Sequence, residues 1–228
     1  MTRVVMSNSL SMGQVRPRVG GPGFRPLWTN QAKGARVFAT LCEGREWKCI
    51  TKERMNIPEI YDYLVRARRD LWTALEAVPD EVLGRPLLDG SRFHCIKDLA
   101  MHVPVVEDCW LHEDILRVEP VWKTIPALKD LDDGPIYASY PLGTIVDYWR
   151  AVEQSTLAYL ATLTEDELKR IVALHDAPEE RYKLDGLLWH VMIHEMRHTA
   201  QIAVLLRTQG IQPPSLDLLF YLEGGRSF

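Results

Sequence analysis

Four long stretches of this 228-residue chain repeat apolar residues every three or four positions, and none alternates them with the period of two that marks a strand. Helices packed on helices are the solution such a pattern allows. In IPEIYDYLVRARRDLWTALEAV the face is Ile60, Leu64, Ala67, Leu71 and Leu75, and Pro58 sits in the first turn, where no N–H is needed. CIKDLAMHVPVVEDCWLHEDILR continues the period through Leu99, His102 and Val103, Val106, Cys109 and Trp110, then Ile115 and Leu116. Pro104 interrupts it and predicts a kink or a local irregularity, because it removes one backbone donor. A third helix is predicted from about Gly143 to Leu163, and a fourth from about Lys183 to Gln209, stopped by Gly210 and Pro213-Pro214. TEDELKRIV reads as a short helix capped by Thr164. The expected fold is all-α: a four-helix bundle with a long loop between helices 2 and 3, over residues 119–141. That loop carries four prolines and an Asp-Asp-Gly turn, and its Trp122 and Tyr137 either wall a site or, more simply, pack.

The domain is expected to start at Met55 and run over residues 55–228. Residues 1–54 hold ten Lys or Arg against three acids, although the whole chain has a formal net charge of -4. Their first 38 residues lack any acid, are rich in Gly and Pro, and show no sustained period, so they bury too little apolar area to offset the entropy of ordering. A disordered or non-native extension is the plainest reading, ahead of a basic arm or an organelle transit peptide. With the positive charge confined there and the rest acidic, a nucleic-acid partner is not expected. Neither a membrane span nor a signal-peptide core is visible, and the four cysteines form no CxxC pair, which points to reduced thiols in the cytoplasm.

The fourth helix, LLWHVMIHEMRHTAQIAVLLR, carries the chemistry. At 100° per residue, His194 and His198 lie about 40° apart and share a face with Leu187, Val191, Ile202 and Leu205, so both rings point into the core. Burying adjacent imidazoles without partners is costly, and two neutral rings at i and i+4 make convergent ligands for zinc, nickel or a similar divalent ion. His102, between Leu99 and Val106, is the best third ligand. His190 reads as a rim residue, and His94, His112 and His175 as solvated or capping. The string HEMRH also fits a zinc-peptidase helix with Glu195 as base, but the extended motif is missing and only Glu223, in the C-terminal tail, offers a downstream ligand.

From Met55 to about Gly224 the chain resembles the DinB family, also called DinB/YfiT-like metal-dependent enzymes. The stretch IKDLAMHVPVVED is similar to the family's DLLAH segment. HVMIHEMRHTAQIAVLLRTQG is similar to its H-x3-H-x3-H-x2-Q helix followed by LR-x-x-G, and PPSLDLLFYL to its C-terminal segment. The resemblance implies a four-helix bundle, commonly a homodimer, with a divalent metal held by His102, His194 and His198, the three residues that helix geometry selects. Gln201 matches the glutamine after the last ligand and shares its helix face, where it can hold a ligand ring or a bound water. Thr199 stands where the family often has arginine, and Arg197 precedes the last histidine.

Three histidines with an open position suit catalysis better than a closed structural site. The resemblance extends to S-transferases and isomerases that use low-molecular-weight thiols such as bacillithiol or mycothiol. The expected function is thus a metal-dependent thiol S-transferase or hydrolase acting on a small-molecule electrophile. Glu195 and Asp98 are candidates for proton transfer or for orienting a ligand, Asp98 by accepting the free N–H of His102 one turn on. Asp98 has a plainer role as a first-turn carboxylate. The rival readings are a non-catalytic, metal-stabilised, stress-associated binding protein and the zinc peptidase.

Overall fold

The computed structural model describes residues 56–90, 93–129, 131 and 137–222. The expected N-terminal extension, the Asp-Asp-Gly turn and Glu223 lie outside the described residues.

Helix α1 (Ile57–Glu76) starts at a capping box: Asn56 Oδ1 accepts from Glu59 N at 3.1 Å, and Glu59 Oε2 accepts from Asn56 N at 3.0 Å. After the single turn α2 (Asp80–Leu83), α3 (Ile96–Asp108) carries Pro104 in ordinary α geometry. The irregularity comes one turn later, where Cys109–Leu116 winds as a π-helix and ends at Arg117, with φ 61° and ψ 40°. Two 3₁₀ turns, Val121–Thr124 and Pro126–Leu128, lead towards α4 (Leu142–Leu160). Tyr137 and Trp122 pack on the core here, the simpler of their two expected roles.

The expectation of helices alone is corrected after α5 (Glu165–Leu168), which Thr164 caps through a 3.2 Å bond from Glu167 N. Ile171 and Val172 do not extend this helix. Strands β1 (Ile171–Ala173) and β2 (Arg181–Lys183) pair antiparallel, with Val172 opposite Tyr182. Three residues per strand, with only Val172 buried, are too few for a period of two to show. Helix α6 (Leu184–Thr208) follows at once and stops at Gly210, whose φ of +74° suits glycine.

The four long helices close a ring: α1 and α3 each pack against both α4 and α6. Helices consecutive in this set, α1 and α3, therefore stand diagonally. Two apolar clusters fill the ring, one around Leu71, Leu99, Ile145, Val152 and Ile202, the other around Ile60, Leu64, Ile115, Leu160, Leu188 and Met192. Followed along each helix, α1 and α6 pass from the second cluster to the first, and α3 and α4 pass the opposite way. Helices α3 and α4 run in the same direction, so the chain between Leu116 and Leu142 must return along the bundle.

Between the clusters lies a polar layer. Every long helix contributes a buried charged or polar group to it: Arg68 from α1, Glu107 from α3, Glu153 and Thr156 from α4, Glu195 from α6. Arg68 donates from Nε and Nη2 to Glu195 at 3.0 and 2.5 Å and from Nη1 to Glu153 at 3.1 Å, and its Nη2 is 3.5 Å from Glu107 Oε2. Arg69 pairs with the other oxygen of Glu153, and Tyr61 and Thr156 hydroxyls donate to Glu107 Oε1 at 2.5 and 2.7 Å. Two guanidiniums thus face three carboxylates.

Burial raises Glu195 to about 7 and Glu153 above its ordinary range, against the pull of Arg68 on both. An acid whose folded pKa lies above its unfolded value near 4.5 adds stability that is fully present below that value and is lost as pH rises through the folded one. Glu195→Gln keeps this site neutral at every pH. We expect the melting-temperature difference, variant minus wild type, to grow between about pH 5 and 8; a difference that stays flat across this range contradicts the shift.

Candidate metal centre

In the same polar layer α3 presents His102, and α6 presents His194 and His198 one turn apart. All three rings are buried. His102 Nε2 and His194 Nε2 are 3.1 Å apart, and one nitrogen from each of the three rings lies within 4.8 Å of the others. Among the described residues this is the group of metal-ligating side chains that converges. The ring of Phe93 covers it, with centroids 4.3 Å from His102 and 5.9 Å from His198. Phe93 lies in the irregular connection before α3, where periodicity offers no signal.

The protonation states suit ligation. Burial lowers His194 to about 2, helped by His198, His102, Arg197 and His190, and burial also lowers His198 and His190. These shifts favour the neutral form of the His194 and His198 rings, the form in which nitrogen binds a metal. Gln201 Oε1 accepts from His198 Nδ1 at 2.6 Å, which directs the Nε2 lone pair inward. Arg197 Nη2 lies 3.2 Å from that Nε2. Three nitrogen donors, with one tautomer set by an amide, fit a borderline-soft divalent ion with a position left open.

Two candidate residues are bonded to other groups. Asp98 does not reach His102: its Oδ2 accepts from the backbone N–H of His94 and Cys95 at 2.9 and 3.2 Å, and its Oδ1 from Tyr137 N at 2.6 Å. The first-turn carboxylate role describes it, since unpaired N–H groups at a helix start compete well for a carboxylate. Glu195 lies one residue, about 100°, from His194, and both its oxygens bind Arg68. A peptidase base must face the metal, and Glu195 is turned instead onto Arg68 as a buried ion-pair partner.

His190 is exposed at the rim, with its ring 5.2 Å from that of Trp110, and His175 is exposed in its loop. His112, expected to be solvated or capping, is buried instead. Its Nδ1 is 2.7 Å from Asp108 Oδ1 and its Nε2 is 2.7 Å from Ser155 Oγ. Burial alone would lower its pKa, but the Asp108 carboxylate outweighs that and raises it. Asp108 also accepts from Val121 N, Trp122 N and the Tyr148 hydroxyl, tying the 3₁₀ turn to α3 and α4. The connectivity is that of a serine–histidine–aspartate relay, but Ser155 is in mid-helix, where its neighbours' N–H groups are spent in the helical ladder. Its own helix supplies no oxyanion donors.

A model of the DinB family matches residues 50–226. The chain belongs to the DinB family. No curated protein gives a match. Two solved structures resemble it weakly. A DinB-like protein from Bacillus cereus shows 19% identity over 71% of this chain and 97% of its own, with a TM-score of 0.48. YfiT from Bacillus subtilis shows 20% identity over 73% and 93%, with a TM-score of 0.49, and is described as "a probable metal-dependent hydrolase with an unusual four-helix bundle topology". Within this DinB chain, the three histidines named from periodicity are the three that meet.

Proposed function

We propose that this DinB chain is a metal-dependent enzyme in which His102, His194 and His198 hold a divalent ion, zinc or nickel, and that it transfers a low-molecular-weight thiol to a small electrophile or hydrolyses one. The observation that carries this reading is the convergence of three buried imidazoles from two helices. When bound, the ion would supply Lewis acidity that makes a thiol or water acidic near neutral pH. The chain's own residues do the rest. Gln201 fixes the His198 tautomer, and Phe93 keeps one side of the triad dry. With Glu195 and Asp98 committed elsewhere, His190 is the neutral base on the wall of the adjoining depression, placed to accept the proton released when the nucleophile forms. No described helix is long and apolar enough to cross a membrane. Cytoplasmic placement and a homodimer belong to the same proposal, the latter on the family resemblance and open to light scattering.

The test is thiol consumption with a panel of model electrophiles by the full chain, as purified, after chelation, and after reloading with Zn²⁺ or Ni²⁺. Turnover that chelation abolishes and reloading restores is expected. A chain inert to thiols and esters, whose melting temperature nonetheless rises on metal loading, would instead be a metal-stabilised binding protein.

A further inference from the structure

Among the described residues, Arg197 is a cation without an anion. Arg66 is paired with Asp62, Arg68 with three glutamates, Arg69 with Glu153, and Arg150 with Asp147 and Glu76, whereas Arg85, Arg181 and Arg207 form no ion pair with a described residue. Arg197 makes no ion pair with any described residue, and its guanidinium rests on His198 Nε2 at 3.2 Å. With His190, Ile193 and His194 it lines an open depression of about 110 Å³ beside the triad. The two acids nearest in sequence to the ligands are spoken for, Glu195 by Arg68 and Asp98 by three backbone N–H groups.

One lone pair on His198 Nε2 cannot serve both a guanidinium and a metal ion. Loading the site therefore releases Arg197. It also puts a divalent charge among three imidazoles, beside a second cation, with no described carboxylate directed at either. A partly desolvated centre of that kind is completed by an anion from outside, and a guanidinium fork matches a planar carboxylate or a phosphoryl group in two parallel hydrogen bonds.

We infer that the substrate carries an oxyanion group, carboxylate or phosphoryl, and that Arg197 binds this group on the wall of the depression while the reacting end of the molecule faces the histidine triad. The inference rests on the three histidines holding a divalent ion. It makes Arg197 a specificity residue, and it restricts substrates to small anionic molecules, since the depression offers only about 110 Å³, below the usual range of ligand-site sizes.

The experiment uses the full chain loaded with Co²⁺, whose visible absorption responds to a ligand entering the site. Acetate, methylphosphonate and neutral acetamide are titrated against wild type, Arg197→Met and Arg197→Lys, and metal content is measured on the same samples. In wild type at least one anion is expected to bind about tenfold or more tightly than acetamide. The arm that responds identifies carboxylate or phosphoryl. Arg197→Met should lose this preference at unchanged metal content, and Arg197→Lys should keep part of it. If Arg197→Met binds the anions as wild type does, with its metal in place, the inference is overturned and the metal centre stands. A wild type that takes up no metal overturns both.

Discussion

Arg68→Ala is expected to lower stability by about 3–5 kcal/mol, close to the whole margin of many domains. The size follows from what remains. Glu107, Glu153 and Glu195 are each at most 3% exposed, and without the guanidinium all three would have to find protons or water inside the bundle. Urea unfolding at pH 7 measures the loss, and if the variant fails to fold, the yield of soluble protein at pH 5 against pH 8 reports the same imbalance. Arg68→Lys should recover little, because one ammonium cannot replace a planar donor that reaches three helices. The companion experiment is Arg68→Met together with Glu107→Gln, Glu153→Gln and Glu195→Gln, which removes the charge from both sides. That quadruple variant should be markedly more stable than Arg68→Ala. A loss below about 1 kcal/mol for Arg68→Ala would mean that the cluster is solvated like a surface pair.

His102→Ala and His198→Ala should each leave the protein without stoichiometric metal after dialysis, whereas Glu195→Gln should retain it. The contrast follows from position: the two histidines offer nitrogens to a common point, and the glutamate faces the other way onto Arg68. Gln201→Ala should weaken metal binding by about 10–100-fold without abolishing it, the usual effect of removing a group that orients a ligand ring. Elemental analysis gives the stoichiometry, and competition with a chromophoric chelator gives the affinity. Metal retained by His102→Ala would remove α3 from the site, and metal lost from Glu223→Ala as well would return the peptidase reading to consideration.

The histidine triad was legible because its members obey the same period as the core. His194 and His198 continue the face of Leu187, Val191, Ile202 and Leu205, and His102 falls between Leu99 and Val106. Arg68 obeys the period as well, four residues after Leu64 and three before Leu71, and Glu153 is four after Trp149. These were the available signals for the ion cluster. They are weak, because Arg66, Arg68 and Arg69 stand close together and one face of a helix near the surface looks much like another until the carboxylates of three other helices are placed. Asp98 shows the opposite failure. Its spacing from His102 suits a hydrogen bond, but the donors that claim it are backbone groups at its own helix start and at Tyr137, 39 residues along the chain. Side-chain spacing does not register a competition with backbone donors. The hairpin of β1 and β2 was out of reach for a simpler reason, since three residues are too few to reveal a period.

The π-helical turn at Cys109–Leu116 accommodates more residues per turn than an α-helix would. It lies beyond His102 and before the chain leaves for α4, so a change in chain length at this point can be absorbed by tightening the turn, with no rotation of the segment that carries His102. A one-residue gap opening here between relatives would record a helix made regular, with His112 drawn off Ser155, and not a bundle rebuilt. The stretch of α3 free to vary in length is thus separate from the stretch that holds its histidine in place.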